Sequence, residues 1–149
     1  MKLRRLLLVL AVLLAAAAPR TLAAQRPPQP LEGFVQSVAR LWERGDAGDL
    51  VKLAPASGRI LLDVGTGGPG AVEERHAAAA LRSLFGERET VSVRPTGVTL
   101  SGGSPISGFG ELAWVSRLRG VSDTQGTTVY VGAVWEDGAW RIRELRILQ

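Results

Sequence analysis

The chain has 149 residues and no cysteine, with one histidine and one tyrosine. Without cysteine there is no disulfide, no thiolate nucleophile and no Cys-ligated metal. A lone histidine, His76, excludes a multi-histidine metal centre. We therefore expect no cofactor and no resident metal, carboxylate-only Mg²⁺ or Ca²⁺ binding being the one metal chemistry the composition leaves open. Aromatic residues are scarce at 5%, yet apolar residues reach 46%, enough for a folded core. The length suits one ordinary domain and excludes a large multidomain enzyme.

Long apolar runs are also missing, with one exception at the start. Lys2, Arg4 and Arg5 precede an unbroken apolar run of 13 residues, Leu6 to Ala18. Pro19, Arg20 and the small-residue stretch Thr21-Leu22-Ala23-Ala24 follow. A basic start, a short apolar middle and small residues at a cut site describe a secretory signal peptide over 1–24, cleaved near Ala23 or Ala24. The run is too short to cross a hydrocarbon core of about 30 Å. The expectation is a secreted or periplasmic protein with no membrane span once the signal is removed.

That segment holds four of the 18 basic residues and none of the 14 acidic ones, so the mature chain carries 14 of each. A chain near neutrality lacks the positive surplus that phosphate backbones require, so no nucleic acid is expected as a partner. Residues 25–30, Gln-Arg-Pro-Pro-Gln-Pro, read as an extended spacer. The folded domain then occupies 31–149.

Within it, Leu31, Phe34, Val35, Val38, Leu41 and Trp42 make one apolar stripe at helical period, predicting a helix over Leu31–Arg44. Gly45 suits the position just past its end, and Asp46 caps a second, short helix that Pro55 stops. Arg59–Val64 is a short strand. A glycine-rich loop, Gly65 to Gly70, leads to a helix over Ala71–Phe85 with Gly86 at its end, whose Glu73 and Glu74 near the start suit the helix dipole. From Thr90 the period changes to two. Thr90–Leu100, Phe109–Arg119, Thr127–Trp135 and Ala139–Leu148 read as four strands, the last pair joined by a tight Asp137-Gly138 turn.

In the last strand Trp140 and Ile142 share a face, while Leu145 and Ile147 fall on the other. Either a bulge at Arg143/Glu144 restores them, or the strand is apolar on both sides and something covers the outer one. Three strings suggest function and yield to local explanations. Gly65 to Gly70 lacks the Gly-Lys-Ser/Thr ending of a phosphate loop and the spacing of a dinucleotide site. Arg44-Gly45-Asp46 is a helix end followed by a cap. Arg141, Arg143 and Arg146 stand beside Glu144, Glu136 and Asp137, which favours a charge-paired outer face over an anion ridge.

The order of long helix, short helix, strand, helix and four strands, closing on Gly138-Ala-Trp140-Arg-Ile142, resembles the nuclear transport factor 2-like (SnoaL-like) superfamily. It is most similar to small exported bacterial members of unassigned function. The resemblance spans about residues 30–149. It implies an α+β, cystatin-like cone, in which a curved antiparallel sheet wraps around a long N-terminal helix. It places Phe34, Val38, Trp42, Leu81, Phe85 and Trp140 inside the cone as candidate ligand contacts. It also implies a homodimer through the outer sheet face.

Enzymes of the superfamily work in the mouth of the cone with an Asp, Glu or His as general base. The candidates that this implies are Asp63, Glu111, Glu144 and His76, with Tyr130 and Arg117 as supporting groups. Asp63 alternates with Ile60, Leu62 and Val64, so it looks outward if those three face the core. Tyr130 alternates with Val129 and Val131 and suits an outer face. His76 lies on the flank of its helix. The expected function is therefore an exported, non-catalytic domain. It would bind a small apolar ligand in its cone, or a protein partner or second copy through its sheet face. The alternative is an isomerase, dehydratase or hydrolase with a pocket carboxylate as general base.

Overall fold

The computed structural model describes residues 29–65 and 68–148. The expected signal segment 1–24, residues 25–28 of the expected spacer, Thr66 and Gly67 of the glycine-rich loop, and Gln149 lie outside the described residues. The elements are α1 (Leu31–Glu43), α2 (Ala47–Val51), β1 (Arg59–Asp63), β2 (Gly70–Glu73), α3 (Glu74–Glu87), β3 (Arg88–Gly102), β4 (Ser107–Leu118), β5 (Thr124–Glu136) and β6 (Ala139–Leu148).

The apolar stripe of α1 is its buried face: Leu31, Val35, Val38 and Trp42 are all buried. Gly45 follows with φ of 65°, the left-handed conformation a residue without Cβ adopts freely. The Asp46 carboxylate accepts from the Asp49 amide at 3.1 Å, capping α2. The β5–β6 hairpin turns through Asp137 and Gly138, both at positive φ, which matches strand twist.

The six strands form one sheet in the order β2-β1-β6-β5-β4-β3. The sheet is mixed, where an antiparallel one is expected from the resemblance: β1 runs parallel to β6, with Leu62 opposite Leu145. The helix expected over Ala71–Phe85 starts later, because Ala71 and Val72 pair with Leu61 and Ile60 as an edge strand. That pairing satisfies backbone groups that a first helical turn would leave open. α3 then continues through Gly86 to Glu87 and passes directly into β3.

The last strand carries the bulge. Gly132 pairs with Glu144 and Ala133 with Ile142, leaving Arg143 unpaired. Trp140, Ile142 and Leu145 therefore share the core face, and Glu144 and Arg146 are turned to the other. On the concave side α1 presses against β4, where strand positions 108 and 110 are glycines. A Cβ on Gly110 would lie 2.6 Å from both γ-methyls of Val35, and one on Gly108 would lie 2.5 Å from a Leu31 methyl. These absent side chains let the helix sit deep against the sheet.

Candidate functional site

The centre of the cone is packed. Trp42 contacts Phe85 edge to face at 5.2 Å and Trp114 at 5.4 Å. Val38, Trp42 and Leu81 are wholly buried, and Phe85 and Trp140 nearly so. These expected ligand contacts thus serve as each other's packing partners. Phe34 and Trp140 border a shallow apolar groove of about 510 Å³ with Leu41 and Leu53, outside the cone. Trp140 donates to the Gln29 carbonyl at 2.9 Å.

Space remains at the mouth of the cone, as a cavity of about 180 Å³. Val64, Leu84, Trp114 and Ile147 supply its apolar walls, and Ser83, Glu87, Arg88, Gln125 and Thr127 its polar ones. Arg88 is the first residue of β3 and is half-buried. Its guanidinium donates to the Ser116 hydroxyl at 3.2 Å and to the Gln125 amide oxygen at 3.1 Å. The Thr127 hydroxyl is buried and without a hydrogen-bond partner. None of the six residues expected to contact a ligand lines this cavity.

The acid–base candidates stand elsewhere. His76 is exposed on α3. Ile60, Leu62 and Val64 are buried in the core, so Asp63 faces outward as its alternation requires. Glu111 and Glu144 also lie on the outer sheet face, the latter because of the bulge. Strand register sets Asp63 beside Arg146, Arg146 beside Tyr130, and Tyr130 beside Glu111 in one row across four strands. The neighbouring row reads Leu61, Glu144, Gly132, Phe109 and Thr99.

Gly132 makes that second row possible. A Cβ there would fall 2.9 Å from the Glu144 Cβ and 3.4 Å from the Tyr130 ring. Glu144 lies in the resulting hollow, only 8% exposed, and pairs with Arg146. Phe109 stacks on Tyr130 at 5.2 Å, and the Arg146 guanidinium lies 6.0 Å from the centre of the Tyr130 ring. Burial, and then the nearby Glu144 charge, push the Tyr130 phenol above its ordinary value near 10. The phenol is therefore protonated at neutral pH.

At the far end of the face, Arg117 holds Glu89 through a two-pronged pair at 2.9 and 3.0 Å. That pair draws the Glu89 carboxyl below the usual glutamate value. Of the three arginines in the last strand, Arg146 is charge-paired as expected. Glu136 instead accepts from the Ala56 amide at 3.2 Å. Arg143 is the exposed extra residue of the bulge.

Sequence reasoning missed Arg88 and Thr127 because both fell at the margins of predicted elements. Arg88 lay between a helix and a strand, and Thr127 at the first position of one. It also passed over Phe109, whose partner Tyr130 is found only through strand register.

Neither family models nor curated proteins give a match to this chain. Solved structures do. A DUF4783 family protein from Bacteroides uniformis superposes with a TM-score of 0.61 at 15% identity, covering 75% of this chain and 93% of that one. A scytalone dehydratase-like protein from Novosphingobium aromaticivorans gives 0.60 at 11%, covering 80% and 82%. A domain with a cystatin-like fold from Nostoc punctiforme gives 0.58 at 13%, covering 78% and 73%. At these identities the likeness is one of fold. The chain has the cystatin-like, nuclear transport factor 2-like α+β fold.

Proposed function

We propose that this chain is an exported, non-catalytic domain that acts by binding, and that its outer sheet face pairs with a second copy. The observation that carries the reading is the cluster on that face. Phe109 and Tyr130 stack half-buried, Val134 is 6% exposed and Glu144 8%, although the described helices all lie on the other side of the sheet. A sheet face facing only water is ordinarily polar. The row carries an acid at each end, Asp63 and Glu111, with Arg146 and Tyr130 between them, so a two-fold axis across it brings the arginine of each copy, already paired with its own Glu144, near an acid of the other.

The non-catalytic half rests on placement. A general base in the cone needs a carboxylate or imidazole facing it; Asp63, Glu111, Glu144 and His76 all stand outside, and Glu87, the one carboxylate bordering the cavity among the described residues, is exposed at its rim and accepts from the Ser83 hydroxyl. The export half rests on residues 1–24 and their basic, apolar and small-residue order.

The test is sedimentation equilibrium on the purified protein beside its Tyr130→Asp variant. A concentration-dependent dimer that Tyr130→Asp dissolves, with the fold unchanged by circular dichroism, supports the pairing. A wild-type monomer at every concentration refutes it. N-terminal sequencing of protein recovered from a bacterial host tests export. A start at Ala24 or Gln25 supports it, and an intact Met1 in the cytosol opposes it.

A further inference from the structure

The mouth of the cone brings together two polar groups that the fold itself leaves incompletely used. The first is the Arg88 guanidinium. Its two hydrogen bonds go to neutral oxygens of Ser116 and Gln125, and none of the described carboxylates forms an ion pair with it. Of its two acidic neighbours in the chain, Glu89 is taken by Arg117 on the opposite face of the sheet, and Glu87 is exposed at the cavity rim, where it accepts from the Ser83 hydroxyl. The second is the Thr127 hydroxyl, buried and unpartnered. A half-buried cation without an ion-pair contact and a buried hydroxyl without a partner both cost stability. Both border the same cavity of about 180 Å³.

We infer that the mouth of the cone binds a small monocarboxylate with a short apolar tail. Ser116 and Gln125 fix the guanidinium from behind, and the donors left over can take a carboxylate in the planar, two-pronged manner that suits arginine. The Thr127 hydroxyl donates a further bond. Val64, Leu84, Trp114 and Ile147 receive the tail. Size sets the length: an apolar cavity of about 150 Å³ accommodates benzene, so a ligand of about six heavy atoms fits here. The charge of the site selects against dianions. Glu87 stands exposed at the rim, its carboxylate accepting from Ser83 at 3.2 Å, and repels a second negative charge. This inference is independent of pairing through the outer face, which lies on the other side of the sheet.

The experiment is isothermal titration calorimetry of the purified protein with butanoate, its neutral isostere butanamide, and sulfate. Butanoate should bind saturably, and butanamide about tenfold or more weaker, since it cannot satisfy the guanidinium charge. Arg88→Gln should weaken butanoate about tenfold or more, and Thr127→Val, which keeps shape and removes the hydroxyl, by several-fold. Arg143→Gln, at the exposed bulge, should leave binding unchanged. The inference is overturned if butanoate gives no saturable heat, if butanamide binds as tightly, if sulfate binds more tightly, or if Arg88→Gln binds like wild type. Should Arg88→Gln fail to fold, Thr127→Val decides: unchanged binding overturns the inference, and weakened binding with butanamide still excluded supports it.

Discussion

The depth at which α1 sits in the sheet depends on Gly110, and one substitution measures how firmly. Gly110→Ala adds a Cβ that would stand 2.6 Å from both γ-methyls of Val35, which is wholly buried. Val35 is β-branched on a helix, so its χ1 is nearly fixed and it cannot rotate away. The helix must lift or the strand must bend, and overpacking of this kind costs about 1–3 kcal/mol. Alanine also narrows the unfolded ensemble relative to glycine, which returns about 0.4–1 kcal/mol. The net expectation is a loss of about 1–2 kcal/mol.

Val35→Ala alone removes two carbons from a buried side chain, about 1.6 kcal/mol by transfer, and leaves a small cavity that adds to it. Combined, the new methyl enters space that the valine vacates. The double variant should therefore lie near Val35→Ala itself, with a coupling of about 1 kcal/mol or more between the sites. Gly126→Ala is the control. It lies in the same sheet with nothing within 4 Å of the added Cβ, and it should be neutral or slightly stabilising. Urea unfolding followed by fluorescence of the buried Trp42 and Trp114 gives all four values. If Gly110→Ala lies within about 0.5 kcal/mol of wild type, or the two changes add, the argument that glycine admits the helix fails.

Tyr130 is the only tyrosine in the chain, so ultraviolet phenolate absorbance titrates it alone. Its midpoint should lie above the ordinary value near 10. Because the folded state holds that proton more tightly, the linked stability is complete below the ordinary tyrosine range and is lost as pH rises through the shifted midpoint. Glu144→Gln should lower the midpoint without fully normalising it, since burial is the larger cause; no movement would show that the Glu144 charge is not felt. Glu89 is shifted the other way, below the ordinary 4.5, by Arg117. Its linked stability is present above that value and fades as pH falls through the depressed one, so Arg117→Gln should flatten the acid limb of stability against pH, a difference that added salt should shrink. Gly132→Ala should displace Glu144 from its hollow and cost about 1–3 kcal/mol. A variant as stable as wild type by chemical denaturation would mean that the hollow is not closely fitted.

Much of the fold was legible in local pattern. The stripe of α1, the Gly45–Asp46 junction and the Asp137-Gly138 turn all follow from residues a few positions apart, and each occurs as expected. Ala71 to Glu73 was not legible. Its sequence tolerates a helix, and only the neighbouring strand made it an edge of the sheet. The parallel contact of β1 with β6 joins residues more than eighty positions apart, and no local period encodes it. The candidate site was the least legible part. Of the six apolar residues expected as ligand contacts, Val38, Trp42, Leu81, Phe85 and Trp140 are buried in the packed core, since apolar side chains that converge also pack against each other, while Phe34 is half-buried beside the outer groove.

By itself the sequence determined which residues are apolar and at what period, and hence the helices, the strands and most of the core; it also excluded thiol and multi-histidine chemistry by composition. Tertiary structure alone decided which face each polar group occupies. One unpaired residue, Arg143, rotates everything after it in the strand by half a period and sends Glu144 out and Leu145 in. Register then brings Asp63, Arg146, Tyr130 and Glu111 into a row, and the end of α3 sets Arg88 on the cavity that Thr127 also borders. Side-chain direction in a strand has a period of two, so a shift of one residue inverts it. Burial across the whole domain selects between the two outcomes.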